Sequence, residues 1–136
     1  GKYIEELIKK HGLISCVEFT GILDEKQMCE RHLKSHVFVC PSSIENSPNS
    51  LGEAMILGVP CVASDVGGVA DMLKHQEEGF VYQADAPYML AHYVCKLFAD
   101  DEIALQFSVN ARKHAMRTHD PDINHNTLIQ VYKMIN

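Results

Sequence analysis

The sequence predicts an α/β protein with a doubly wound, Rossmann-like parallel sheet. Short apolar runs at residues 37–40, 61–64 and 79–82 have the continuous hydrophobic character of parallel strands buried on both faces. Helical patterns separate these runs, as in βαβ units, where a helix connects two parallel strands. The chain has 136 residues, 46% of them hydrophobic and 22% charged, so we expect a single domain over residues 1–136.

Each predicted element has a local reason. Residues 3–10 predict a short helix, and residues 17–21 predict a first strand that Gly21 closes. Asp24 can cap a helix over residues 25–33, because its carboxylate can accept from the free amides of the first turn. A helix over residues 51–57 ends at Gly58 and Pro60. The remaining helices are predicted at residues 69–74, 87–99, 102–118 and 121–135.

Charge and composition exclude several classes of function. The formal net charge is −6 and no basic stripe is present, so we expect no nucleic-acid partner. No apolar stretch reaches the roughly 18–20 residues that cross a bilayer, so we expect no direct membrane insertion. The five cysteines are odd in number and scattered, which is typical of a reducing cytoplasm rather than of a disulfide framework.

The segment from Glu45 to Glu53 is the most informative in the chain. The two carboxylates stand eight positions apart across a predicted loop-to-helix junction, directly after the strand over residues 37–40. A helix start presents free amides and a positive dipole end, the usual setting for a phosphate. The loop over residues 65–68 follows the next strand, and parallel strands bring both loops to one edge of the sheet. Carboxylates beside a phosphate site suggest a ligand with hydroxyl groups, and therefore a nucleotide sugar.

Local structure offers alternative interpretations of these residues. Ser50 and Glu53 have the spacing of a capping box, in which Glu53 would bond back to the helix start instead of binding a ligand. Ser47 and Pro48 offer a competing helix start, with Ser47 as the cap. Glu45 could be a solvated loop residue. Further small or polar residues suit either turn chemistry or close approach of a ligand: Asn49, Ser50, Gly67 and Gly68.

Other catalytic and cofactor motifs are absent from the sequence. It contains no G-x-G-x-x-G, no phosphate-binding G-x-x-x-x-G-K, no H-E-x-x-H and no G-x-S-x-G. Cys29, His32 and His36 have helical spacing that could hold a metal, but a core cysteine with two partly exposed histidines is the commoner case. We therefore expect neither a cofactor nor a metal. His114 and His119 are expected on a solvated helix face.

The ordered motifs resemble a known family. The chain is similar to the C-terminal, donor-binding domain of the group 1 retaining glycosyltransferases of GT-B architecture, whose E-x7-E motif matches Glu45 and Glu53. The resemblance covers nearly the whole chain. It rests on these residues in order: Val17, Phe19 and Gly21; Val37, Phe38, Val39, Pro41 and Ser42; Glu45, Glu53, Ala54, Met55, Gly58 and Pro60; Val62, Ala63, Ser64, Asp65, Gly67 and Gly68; Gly79, Phe80 and Val81.

The resemblance implies a role for each matching position. Glu53 would bind the ribose hydroxyls of the nucleotide, and Glu45 would lie beside the transferred sugar as the catalytic carboxylate. Backbone amides of one segment would hold the sugar and the distal phosphate. This segment comprises Ser47, Pro48, Asn49, Ser50 and Leu51. The loop at Gly21 and Ile22 would lie near the base, and the turn at Gly67 and Gly68 would border the cleft. Pro48 stands where many members of the family have glycine.

The resemblance also implies a reaction and partners. A sugar would pass from a nucleoside-diphosphate donor to an acceptor hydroxyl with retention at the anomeric carbon. The acceptor, a saccharide or a lipid-linked saccharide, would bind through an N-terminal domain that this sequence lacks, together with a basic phosphate clamp expected before residue 1. We therefore expect a cytoplasmic fragment, inactive alone, that could reach the inner membrane face through that other half. A sugar-nucleotide epimerase and a non-catalytic nucleotide-sugar binding module remain alternatives.

Overall fold

A computed structural model describes residues 2–135 as an α/β arrangement around a three-stranded parallel sheet. Within that range the elements are, in order, α1 (Lys2–Lys10), α2 (Glu25–Leu33), β1 (Phe38–Cys40), α3 (Asn49–Ile56), β2 (Cys61–Asp65), α4 (Val69–Met72), β3 (Gly79–Gln83), α5 (Pro87–Ala99), α6 (Asp101–Thr118) and α7 (Pro121–Ile135).

The sheet has the order β1-β2-β3, with β2 in the middle. Phe38 lies opposite Cys61 in the β1–β2 pair, and Cys61 lies opposite Gly79 in the β2–β3 pair. Residues 61–64 are all buried, as expected for a parallel strand covered on both faces. The predicted α/β class, the three apolar strands and the intervening helices are therefore confirmed.

Two apolar clusters cover the two faces of β2. Cys61 and Ala63 belong to the cluster that α3, α4 and part of α6 form on one face. Val62 belongs to the other cluster, which α5, β3 and the start of α6 complete. Because successive strand residues point to opposite faces, this alternation places α3 and α5 on opposite sides of the sheet.

The predicted strand over residues 17–21 is wrong. Residues 17–20 have no regular secondary structure, and the side chains of Val17 and Phe19 are 40% and 65% exposed. A strand needs a neighbour to satisfy its backbone N–H and C=O groups. Within residues 2–135, β1 pairs only with β2, and no strand lies beside residues 17–21.

Local capping explains where two of the helices begin. Asp24 Oδ1 accepts from the Gln27 amide at 2.8 Å, and the Asp24 amide donates to Gln27 Oε1 at 3.0 Å, which completes a capping box at the start of α2. Asp100 Oδ1 accepts from the Ile103 amide at 3.0 Å and begins α6 one residue before the predicted start. The predicted cap at Asp24 is confirmed.

Candidate functional site

Two loops meet at the carboxyl edge of the sheet. One follows β1 and carries Glu45 and Asn46; the other follows β2 and contains Gly67 and Gly68. The Gly68 amide donates to the Asn46 carbonyl at 2.6 Å. A Cβ on Gly67 would overlap the Glu45 carbonyl oxygen, and the φ of Gly67 is +53°. The glycine pair therefore permits the close approach of two loop backbones, a reason that the sequence alone did not give.

Ser64 and Ser42 hold the first loop in place. The buried Ser64 hydroxyl donates to the Ser42 carbonyl at 2.6 Å and lies 3.3 Å from the Cys40 carbonyl. This hydroxyl therefore ties β2 to the end of β1 and the segment that follows it. The Ser42 hydroxyl in turn donates to Glu45 Oε1 at 3.1 Å. Glu45 is therefore a half-buried carboxylate in a fixed position, and the interpretation of a freely solvated loop residue is wrong.

The start of α3 differs from both predicted starts. Pro48 occupies the cap position, and the amides of Leu51 and Gly52 donate to its carbonyl at 3.0 and 3.4 Å. Ser50 lies inside the helix, so the capping box between Ser50 and Glu53 does not form. Ser47 does not cap the helix either, because no side chain among the described residues bonds to its first turn.

This helix start leaves backbone donors free. Within residues 2–135, the amides of Asn49 and Ser50 have no hydrogen-bond acceptor, and both residues are exposed. The Leu51 amide is engaged by the Pro48 carbonyl, and Pro48 itself has no N–H. Of the segment that the resemblance assigns to the phosphate, Ser47, Asn49 and Ser50 thus present amides that a ligand could use, and those of Asn49 and Ser50 belong to the helix start.

Glu53 is exposed on the second turn of α3, and no hydrogen bond engages its carboxylate within the described range. Its side chain lines a cavity of about 260 Å³ between α2 and α3. The α2 side of this cavity is formed by Glu25, Met28, Cys29 and His32. Glu53 is therefore available to a ligand rather than used as a cap.

The loop at Gly21 and Ile22 is not brought against α3. Gly21 has a φ of +66° and nothing lies within 4 Å of a Cβ built there. Ile22 is fully exposed. The helix that follows, α2, is the element that contributes residues to the cavity beside Glu53.

Two histidines are more buried than the sequence indicated, and a third, His119, is exposed as expected but lies beside α3. His32 is only 5% exposed, packs its ring against Phe38, and leaves Nε2 without a partner within residues 2–135. His114 Nδ1 lies 2.8 Å from Glu78 Oε2, with both side chains largely buried, so His114 is not on a solvated helix face. The ring of His119 lies so close to Gly52 that a Cβ there would be 2.8 Å from Nε2. These contacts join residues distant in sequence, which local patterns cannot reveal.

Metal ligands and basic residues are scarce near the start of α3. Residues 2–135 contain no group of three His, Cys, Asp or Glu side chains that could hold a metal ion. A second cavity, of about 280 Å³, lies on the other side of α3 and is lined partly by Ser47, Asn49 and Gly68. No Lys or Arg side chain of the described residues lines either cavity beside α3.

A parallel α/β sheet with a free helix start at its carboxyl edge defines a class of nucleotide-binding domains. The family profile of the group 1 glycosyl transferases matches residues 1–114. The chain belongs to this family, which confirms the resemblance noted in the sequence. The chain spans between 12% and 34% of the length of eight curated relatives that it matches.

Individual relatives agree with this assignment. The 2-deoxystreptamine N-acetyl-D-glucosaminyltransferase of Niallia circulans is 27% identical over 130 residues, which are 95% of this chain and 33% of that protein. Sucrose-phosphate synthase from Thermosynechococcus elongatus has a TM-score of 0.88 at 25% identity, covering 98% of this chain and 34% of that one. Anabaena HepE, determined with UDP-glucose, has a TM-score of 0.88 at 22% identity, covering 97% and 36%. The GT-B fold class is therefore confirmed.

Proposed function

We propose that this chain supplies the donor-binding half of a retaining glycosyltransferase. The reaction moves a sugar from a nucleoside diphosphate to an acceptor hydroxyl. One observation carries the proposal: Glu45 lies in the loop before, and Glu53 in the second turn after, a helix start whose first amides have no acceptor within residues 2–135. A nucleotide sugar offers a diphosphate for those amides and hydroxyl groups for both carboxylates.

The start of α3 stabilises the leaving diphosphate in this proposal. The amides of Asn49 and Ser50 and the positive end of the helix dipole act on the negative charge that develops as the glycosidic bond breaks. Donors fixed in the folded backbone need no reorganisation during the reaction. The proposal therefore requires no metal, and the remaining positive charge would come from basic residues of the whole enzyme.

The two carboxylates have different roles. Glu53 is exposed and accepts hydrogen bonds from the ribose hydroxyls, which determines affinity for the nucleotide. Glu45 is held by Ser42 and stabilises the oxocarbenium-like transition state of the sugar. We assign it no covalent intermediate. Fixing its carboxylate by a neighbouring hydroxyl is the kind of pre-organisation that favours a transition state over the bound substrate.

The partners follow from this division of roles. The donor is a nucleotide sugar, a proposal supported by the similar fold of HepE, which has been determined with UDP and with UDP-glucose. The acceptor is a saccharide or a lipid-linked saccharide held with the help of an N-terminal domain. Across residues 2–135 no helix is both long and apolar enough to cross a membrane. The five free cysteines support our proposal of a cytoplasmic location.

Titration calorimetry of this chain with UDP, GDP and ADP tests the donor site. The Glu53→Ala variant should bind the preferred nucleotide about 5- to 150-fold more weakly, because charge-assisted hydrogen bonds contribute roughly 1–3 kcal/mol. Glu30→Ala is the matched control, since it removes an exposed glutamate from the middle of another helix. Equal losses in the two variants would contradict the role of Glu53.

Turnover is tested in the full-length enzyme. Release of nucleoside diphosphate should depend on the acceptor, whereas an epimerase would turn over the donor without one and a binding module would not turn it over. Glu45→Gln should lower kcat and leave donor affinity nearly unchanged. Wild-type kcat/KM in this variant would contradict the catalytic role of Glu45.

A further inference from the structure

A separate cavity of about 400 Å³ lies at the carboxyl edge of the sheet, on the face covered by α5. Ser64 and Tyr82 reach it from that face, which also carries Val62 and Phe80. The helix that carries Glu53 covers the opposite face, so this cavity is distinct from the two beside α3. Its polar lining comprises Ser42, Ser43, Ser64, Tyr82 and Asp85, and its apolar lining comprises Pro41, Ala86, Pro87 and Leu90.

The Tyr82 hydroxyl is an unused polar group in this cavity. Tyr82 is only 6% exposed, and no hydrogen bond to its hydroxyl exists within residues 2–135. In the same range, His32 Nε2 is the sole fully buried side-chain nitrogen or oxygen without a hydrogen-bond partner. The Tyr82 hydroxyl is therefore not fully buried, and it opens on the cavity. Burial, with a smaller effect of Cys40, raises the pKa of Tyr82. The hydroxyl is therefore protonated at neutral pH and can donate a hydrogen bond to an occupant.

Charged occupants do not fit this lining. Asp85 is the one carboxylate of the cavity lining, and the lining contains no Lys, Arg or His. An anion in the cavity would therefore meet only negative charge. The α5 start offers an anion little, because Pro87 has no N–H and the amides of Met89 and Leu90 donate to the Ala86 carbonyl at 2.9 and 3.3 Å. A single exposed carboxylate is too few ligands for a metal ion.

We propose that this cavity binds one ring of a neutral saccharide. A sugar ring has apolar C–H faces, which suit Pro41, Pro87 and Leu90, and a rim of hydroxyl groups, which suit Ser43, Tyr82 and Asp85. An apolar surface with a few convergent polar groups is the usual form of a small-molecule site. The cavity is large enough for such a ring.

The cavity is directly connected to the loop that carries Glu45. Ser42 lines the cavity, and its hydroxyl donates to Glu45 Oε1 at 3.1 Å. The buried Ser64 bonds to the Ser42 carbonyl and fixes the same segment. A saccharide held here lies next to the carboxylate that we place beside the transferred sugar. The saccharide would therefore be part of the acceptor. This assignment to the acceptor rests on the proposed function, whereas the binding of a saccharide in the cavity does not.

NMR titration of this chain, with its backbone amides and tyrosine rings labelled, tests the proposal. Methyl α-glucoside, methyl α-mannoside and methyl β-N-acetylglucosaminide are the probes, and inorganic phosphate is the anionic comparison. At least one glycoside should shift the Tyr82 ring and the Ser43 amide with a saturable curve, and phosphate should not. Saturation should remain with UDP present. The absence of a shift from all three glycosides, a phosphate-driven shift, or displacement by UDP-glucose would overturn the proposal.

Two variants and a control complete the test. Tyr82→Phe should weaken the glycoside about 2- to 10-fold, the equivalent of one neutral hydrogen bond. Ser43→Phe should abolish binding by filling the mouth, and because Ser43 is exposed the fold should be kept. Tyr88→Phe removes the hydroxyl of an exposed tyrosine outside the cavity and should have no effect. Equal affinity in Tyr82→Phe and Tyr88→Phe would overturn the role of Tyr82.

A UDP titration of the same sample separates the two proposals. UDP shifts near Glu53 without glycoside shifts near Tyr82 would overturn this inference alone. Glycoside shifts without UDP binding would support the cavity and count against the donor site.

Discussion

Replacing Gly67 with alanine tests the contact between the two loops that shape the donor site. The alanine would have to keep a φ of +53°, which costs about 1–2 kcal/mol for a residue with a Cβ. Its Cβ would overlap the Glu45 carbonyl oxygen and lie 2.8 Å from the carbonyl carbon. The loops must separate, and the hydrogen bond from Gly68 to Asn46 weakens, a loss of about 0.5–1.5 kcal/mol. We expect a total loss of roughly 1.5–3.5 kcal/mol.

Two glycines divide this loss into its parts. Gly58 has a φ of +75° but faces only the movable hydroxyl of Ser108 at 3.0 Å, so Gly58→Ala reports mainly the backbone cost. Gly68 has a φ of −86°, and a Cβ there would lie 2.7 Å from the Asn46 carbonyl oxygen, so Gly68→Ala reports mainly the contact. Gly67→Ala combines both effects and should be the least stable of the three.

Urea denaturation followed by circular dichroism measures these differences, with midpoints compared at a constant slope. Nucleotide affinity, measured by calorimetry on the folded variants, should fall for Gly67→Ala because the loop that moves leads directly into the free amides of Asn49 and Ser50. It should be unchanged for Gly58→Ala. If Gly67→Ala were no less stable than Gly58→Ala and bound nucleotide normally, the loop contact would be refuted.

Three further predictions concern the rest of the chain. Asp24→Ala should lower the free energy of unfolding by about 1 kcal/mol in urea denaturation, because the cap of α2 is lost, and an unchanged midpoint would contradict the capping box. His114→Ala removes a hydrogen-bond partner of the buried Glu78 carboxylate and should cost about 1–3 kcal/mol in the same assay; a loss no larger than that of an exposed alanine substitution would refute the pair. Burial raises the pKa of Cys61 from 9.0 to about 12, so a thiol reagent should label exposed Cys95 in the native state and Cys61 only after unfolding. The Cys61 thiol ionises at a lower pH in the unfolded state than in the folded state. Its contribution to the free energy of unfolding is therefore complete below pH 9.0 and is lost as the pH rises towards 12.

Local sequence information was sufficient for the three strands of the sheet and for the edge at which the candidate site lies. The apolar runs became β1, β2 and β3, of which β2 and β3 are mostly buried and β1 partly buried, and continuous hydrophobicity is the direct consequence of burial on both faces. Asp24 acts within its own helix start, so its role was visible in its neighbours. Glu45 and Glu53 could be placed around a helix start at the carboxyl edge, because chain order and parallel topology fix that edge.

Tertiary contacts decided what local pattern could not. Residues 17–21 have the composition of a strand, but a strand exists only where another satisfies its backbone, and none of the described residues does so. The sequence showed that Gly67 can adopt a positive φ. The need for glycine at this position comes from the Glu45 carbonyl, 22 positions away, which leaves no room for a Cβ. The cavity on which the Tyr82 hydroxyl opens likewise combines the loops after β1 and β3 with Ser64 of β2. The sequence by itself determined the three strands of the sheet, the helices between them and the edge at which the candidate site lies, because these follow from burial and chain order. Only the folded chain determined which side-chain and backbone groups are left free to bind a ligand, because that depends on partners distant in sequence.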